Sequence, residues 1–195
     1  MKKQLKSIAL IHGWAEGSWQ ARRFVECLQQ NDLELITDPH NADIIVGHSA
    51  GCYLVPETKA RLIVLIGLPY WPGKPLVVSW LEKLKAEVGQ HRGRRDFGWF
   101  LRKLVHNAWY ILSRPSSLYR FLKNKRLMSL PKTSTNTKVV LIRNLEDRFC
   151  TPKVASLLPE AKDYPIVELP GLHDDCWLEP QAYIEIIRKY ADELA

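Results

Sequence analysis

Five short runs of the chain place Ile, Val, Leu and Ala on successive rather than alternate positions: residues 7–11, 42–46, 62–66, 139–142 and 165–169. A strand covered on one face alternates, whereas one covered on both is apolar throughout, so these runs predict buried strands of a parallel sheet. Between and after them lie stretches of helical period, at 19–30, 50–60, 154–158 and 180–194, with Thr151-Pro152 as a start signal for the third. In the last stretch Tyr183, Ile184, Ile187, Tyr190, Ala191 and Leu194 recur at intervals of three and four and define one helix face. Strands alternating with helices predict the α/β class, a three-layer sandwich around a mostly parallel central sheet. Residues 33–37 also have strand character, but about five residues separate them from the next run, and a parallel crossover takes about a dozen. They fit a shortened edge strand or a connection.

The chemistry sits where the predicted strands end. Gly47-His48-Ser49-Ala50-Gly51 joins the 42–46 run to a helical pattern. Small residues on either side of a serine allow the tight turn that lifts Oγ clear of a sheet and aims the next N–H at it. A hydroxyl is a poor nucleophile near pH 7 and needs a base, itself oriented by an acid. Asp147 follows the 139–142 strand and His173 follows the 165–169 strand, so both fall at the carboxyl edge where open α/β sheets gather their sites. Glu146 is the alternative acid; Asp147 is preferred. Of the six histidines, only His173 has the order and setting of the base: His40 and His91 lie in polar, loop-like stretches, His106 on a helix, His48 within the turn and His12 beside the first one. The N–H groups of Trp14, after Gly13, and of Ala50 are the candidate donors to an oxyanion, each such donor being worth about 3–4 kcal/mol of barrier.

These motifs together resemble those of the α/β-hydrolase superfamily. His12-Gly13-Trp14 matches its oxyanion turn, Gly47 to Gly51 its nucleophile elbow, Asp147 with Pro152 its acid loop, and Gly171-Leu172-His173 its histidine loop. The match spans residues 7–70 and 137–194. The chain departs from the family in starting at what resembles its third strand and in shortening the region around 33–41. The resemblance implies a helical cap between the 62–66 strand and the acid loop. It also implies a serine hydrolase of esterase or thioesterase type acting on a small-molecule acyl ester. An acyltransferase, a lipase working at a membrane surface and a non-catalytic binding module would share the same residues.

Charge divides the chain at the same places. Residues 72–132 carry fourteen Lys and Arg against three Asp and Glu, a net +11 within a chain whose total is +7, so the remainder is mildly acidic. The expected organisation is therefore a core at 1–71 and 133–195 with a basic, aromatic-rich insertion at 72–132. In the insertion Phe97, Leu101, Leu104, Val105, Ala108 and Leu112 form a helical stripe, and Trp80, Leu81, Leu84 and Val88 begin another. Such stripes usually face a core. The aromatic side chains of Tyr70, Trp71, Trp80, Phe97, Trp99, Phe100 and Trp109 suggest an apolar acyl pocket. The cations are either solvated or set against an anionic membrane surface; nucleic-acid binding is disfavoured because no recognised module is present.

Length and composition exclude other classes. A chain of 195 residues that is 46% hydrophobic can bury a sizeable core and is neither disordered nor in need of staples. Cys27, Cys52, Cys150 and Cys176 form no CxxC pair, which argues against a disulfide framework or a cysteine zinc site and for a reducing, cytoplasmic setting. Cys150 and Cys176 are expected to pack. Lys2, Lys3 and Lys6 mimic a signal peptide, but the apolar run after them ends at His12 and reads as a strand. No run approaches the roughly 20 apolar residues of a spanning helix. The chemistry implies neither a metal nor an organic cofactor.

Overall fold

The computed structural model describes residues 4–69, 76–94, 96–116, 130, 133–147 and 163–195. Six strands, β1 (Ser7–Ile11), β2 (Glu34–Leu35), β3 (Ile44–His48), β4 (Leu62–Ile66), β5 (Lys138–Asn144) and β6 (Ile166–Leu169), form one sheet in the order β2-β1-β3-β4-β5-β6. Every neighbouring pair is parallel. β3 and β4 are buried at every position, as successive apolar residues require. Residues 33–37 contribute a two-residue edge strand, paired through Ser7 with Glu34 and Ile8 with Leu35. The short connection suffices because β2 is only two residues long and ends level with the start of β3, Ile8 pairing with Leu35 on one side and with Ile44 on the other.

Successive residues of each strand face opposite layers. On one face Ile8, Ile44, Val46, Val64, Ile66 and Ile142 pack against Phe24 and Leu28 of α1 (Arg22–Gln30), Trp177 of α4 (Asp175–Leu178), and Ile184 and Ile187 of α5 (Gln181–Leu194). On the other, Ala9, Ile45, Ile63, Leu65 and Leu141 pack with Ala50, Cys52, Tyr53, Val55 and Leu68.

The 50–60 helix does not form. A 3-10 helix runs from Ser49 to Tyr53, Leu54 N–H donates to the Gly51 carbonyl, and the segment then becomes irregular. Pro56 accounts for this: it has no N–H to donate and it disfavours helical backbone at Val55. The first helix begins at Arg22 rather than residue 19, after a turn in which Gln20 N–H donates to the Gly17 carbonyl. The expected 154–158 helix lies outside the described residues.

Between β4 and β5 run α2 (Leu76–His91) and α3 (Phe97–Ser113). Their apolar stripes do not face the sheet. Leu101, Val105 and Leu112 are 45%, 70% and 77% exposed, Trp109 is 69% exposed, and Leu81 and Val88 are also exposed, while Glu87, His91, Phe100 and Lys103 are buried. Among the described residues, no helix is long and apolar enough to cross a membrane.

Candidate active site

The strand order fixes where a site can form. β1 continues to β2 on one side and pairs with β3 on the other, so the loops leaving β1 and β3 diverge and open a crevice at the carboxyl edge. Ser49 lies one residue beyond β3, with φ 53°. A side-chain-bearing residue in this left-handed region costs roughly 1–2 kcal/mol, a strain that the packing around it must hold. A Cβ on Gly51 would stand 2.2 Å from the Ile11 carbonyl oxygen and 2.6 Å from that of His12, so only glycine lets the turn lie against the exit of β1. The same packing brings Gly13 to Ser49, where a Cβ built on Gly13 would be 3.0 Å from Ser49 Cβ. Ala50 follows Ser49 in the chain and Trp14 follows Gly13, and Ser49 remains half-buried between buried neighbours.

His173 and Asp147, from the loops that leave β6 and β5, meet on the far side of β4 from β3. His173 Nδ1 lies 2.7 Å from Asp147 Oδ2, and both side chains are buried. Asp147 can only accept, so the ring proton sits on Nδ1 and leaves the Nε2 lone pair as a base. Burial alone would lower the His173 pKa; the charge and hydrogen bond of Asp147 outweigh it, and the net direction is upward. Glu146, the alternative acid, is exposed. Gly67 lies against this pair. It follows Ile66, the register partner of His48, at the end of β4. At φ 59°, a Cβ on Gly67 would sit 3.1 Å from Cε1 and Nδ1 of His173 and 3.4 Å from Asp147 Oδ2.

A buried network fixes the loop that carries His173. The Leu172 N–H donates to Asp175 Oδ2 at 2.9 Å, its carbonyl accepts from Asn144 Nδ2, and Tyr183 Oη donates to Asn144 Oδ1 at 2.7 Å. The His173 carbonyl stands 3.0 Å from His48 Nε2, while His48 Nδ1 stands 2.9 Å from Glu16 Oε1. Both partners of this ring only accept, so each nitrogen carries a proton and His48 is an imidazolium. Burial lowers the His48 pKa, Cys176 and Glu16 raise it, and the result is well above the ordinary value. Cys176 is itself pushed up by burial, so the charge that balances the ring is the Glu16 carboxylate. Burial pushes the Glu16 pKa up, His48 pulls it down by charge and hydrogen bond, and the net direction is down. Glu16 Oε2 also accepts the Gly13 N–H at 2.8 Å.

Above the loop, Lys103 of α3 forms a buried ion pair with Asp174. Burial opposes the ionisation of Asp174, but the charges of Lys103, His173 and His48 hold it at about 2. Glu87 of α2 is pushed up to about 8 by burial and by the charge of Asp174. Sequence reading missed Glu16, His48, Gly67, Glu87, Lys103 and Asp174. Only Glu16, an acid inside the glycine turn, and Gly67, directly after a strand, carried a local signal. Trp99 and Phe100 of the expected pocket aromatics pack inward, whereas Trp109 is exposed. Tyr70, Trp71, the side chain of Trp80, and Cys150 lie outside the described residues. Cys176 is fully buried, in the packing position expected of it.

No protein-family model and no curated protein sequence matches the chain. Solved structures do. The esterase RhEst1 from Rhodococcus sp. ECU1013 aligns with TM-score 0.63 at 13% identity, covering 97% of this chain and 91% of that one. A variant of epoxide hydrolase from Solanum tuberosum aligns with TM-score 0.55 at 10% identity, covering 98% and 94%. An extracellular α/β-hydrolase from a Paenibacillus species aligns with TM-score 0.50 at 12% identity, covering 94% and 98%.

Proposed function

We propose that this chain, which has the α/β-hydrolase fold, is a serine hydrolase cleaving a carboxylic ester or thioester. The reading is supported by the buried Asp147–His173 hydrogen bond and by a serine held at φ 53° where β3 ends, at the same edge of the sheet. Ser49 Oγ attacks the acyl carbonyl while His173 Nε2 takes its proton, and Asp147 stabilises the imidazolium that forms. The oxyanion accepts from the N–H groups of Trp14 and Ala50. His173 then passes the proton to the leaving alcohol or thiol. Water attacks the acyl-enzyme, gives its proton to His173, and the acid departs as Ser49 recovers its own. An acyltransferase differs only in the acceptor that replaces water, and the fold alone does not choose among chemistries. A serine at the elbow, and an esterase among the structures that share the fold, favour the ester reading.

Labelling with a fluorophosphonate tests it. The wild type is modified, Ser49→Ala is not, and Ser49→Ala loses roughly four orders of magnitude or more in kcat on activated esters. Equal labelling of the two proteins removes the mechanism. A non-catalytic binding module would leave both unlabelled. Activity across p-nitrophenyl esters of increasing chain length then reads the acyl pocket.

A second reading concerns where the enzyme works. The exposed row of Leu101, Val105, Trp109 and Leu112, on a segment of net charge +11, supports peripheral contact with an anionic bilayer through the 72–132 insertion. Sedimentation with anionic and with neutral vesicles separates the two cases, and equal partitioning removes this reading.

A further inference from the structure

Three buried side chains from two parts of the chain meet beside the His173 loop, outside the machinery described above. Glu87 and His91 stand one turn apart on α2, and Asp174 follows His173. They are 1%, 0% and 0% exposed. Each can offer one ligand atom such that the three lie within 4.8 Å of one another. Glu87 Oε1, His91 Nε2 and Asp174 Oδ1 have no hydrogen-bond partner among the described residues. A buried polar atom left unpaired costs about 1–3 kcal/mol, and native interiors hold only a few of them, seldom three in one place. Three together need a common partner.

The imidazole is set up to be that partner's ligand. His91 Nδ1 lies 3.0 Å from Asp96 Oδ2, and the ring stacks on Phe100 with centroids 4.2 Å apart and planes at 11°. Asp96 only accepts, so the proton is on Nδ1 and the lone pair is on Nε2. A carboxylate behind an imidazole fixes the tautomer and the ring orientation in metal sites.

We propose that Glu87, His91 and Asp174 bind a divalent transition cation of the zinc type, with His91 Nε2 as the nitrogen ligand and Asp96 supporting it from behind. One imidazole and two carboxylates suit a borderline dication better than Mg²⁺, which keeps water and oxygen around it. Ligands at zinc distances stand about 3.4 Å apart in a tetrahedron, so a side-chain adjustment of roughly 1 Å closes the set. Lys103 occupies Asp174 Oδ2, leaving Oδ1 to the cation and offsetting one of the two carboxylate charges. The ion ties α2 to the loop that carries His173. Its work is to dock the insertion on the core, and it does not depend on the hydrolase reading.

The test uses the full chain, stripped with a chelator and dialysed against Zn²⁺ or Co²⁺, with bound metal measured by elemental analysis. One ion per chain is expected, with a Tm that rises with cation concentration. Glu87→Gln and His91→Gln should each weaken binding at least about tenfold, and Asp96→Asn roughly 10–100-fold. Ser49→Ala should bind as the wild type does, so loss of hydrolysis and loss of the site remain distinguishable. Failure to retain any ion overturns the proposal, because a shared proton would then satisfy the three atoms. Undiminished binding in the Glu87 and His91 variants overturns it as well. If those variants do not fold, the Co²⁺ spectrum of the wild type decides: oxygen and nitrogen ligands without a thiolate charge-transfer band support the site, and such a band places the ion on cysteine and refutes it.

Discussion

Two helices with clear apolar stripes make opposite use of them. In α5, Tyr183, Ile184, Ile187 and Ala191 are buried, as their spacing predicts. In α3 the stripe through Leu101, Val105 and Leu112 points away from the sheet, and the helix lays down Trp99, Phe100, Lys103, His106 and Tyr110 instead. α2 behaves like α3, burying Glu87 and His91 while exposing Leu81 and Val88. The difference lies in what each helix meets. α5 packs on the apolar flank of the sheet, against Ile8, Ile66 and Ile142. α2 and α3 meet the carboxyl edge, where Asp174, His173 and the rings of Trp14 and Trp19 wait. Periodicity says that a helix has two faces, and the chemistry of the partner surface chooses between them.

Removing the charge that α3 buries has the largest expected effect. Lys103→Met leaves Asp174 buried and unpaired, and loss of one partner of a buried pair typically costs about 3–5 kcal/mol. Urea unfolding of chelator-treated protein measures it. In the Asp174→Asn background the same substitution should cost far less, because the stranded carboxylate is gone. Equal costs in both backgrounds would mean that the ammonium is not held by Asp174, and the pairing on which the contrast with α5 rests would fall. Next comes Ile187→Ala, which opens a cavity beneath a fully buried side chain of α5 and should cost roughly 2–4 kcal/mol, read from the same urea transition.

This contrast also marks what the sequence could and could not disclose. The strands were legible because burial on both faces writes itself as uninterrupted Ile, Val and Leu, and five runs became five of the six strands within two residues. Ser49, Asp147 and His173 could be singled out as candidates because each falls in the loop that leaves a strand, Ser49 after β3, Asp147 after β5 and His173 after β6, and the fold brings the last two into contact. The Glu16–His48 pair, the Lys103–Asp174 pair and the Glu87–His91–Asp174 cluster were not. Their members are 32, 71 and 87 residues apart at the extremes, and each is an ordinary charged residue until the fold places its partner opposite. The missing helix at 50–60 is a different case. Pro56 was in plain view, and the apolar period outweighed it only on paper.

The smallest effect probes the face that α3 leaves outside. Val105 and Leu112 are 70% and 77% exposed, so replacing both by serine removes little buried apolar area. Surface changes of this kind stay within about 0.5 kcal/mol, and the double variant should unfold within that range of the wild type. A loss of several kcal/mol would mean that the stripe is covered after all, and that α3 and α5 obey one rule. Given unchanged stability, the variant isolates the second use of an apolar face. If the row is what meets an anionic bilayer, the serines lower the fraction sedimenting with anionic vesicles while the fluorophosphonate still labels Ser49. If partitioning stays high, the cations of the 72–132 segment hold the protein there without the stripe. The exposed row would then contribute neither to the core nor to the surface contact.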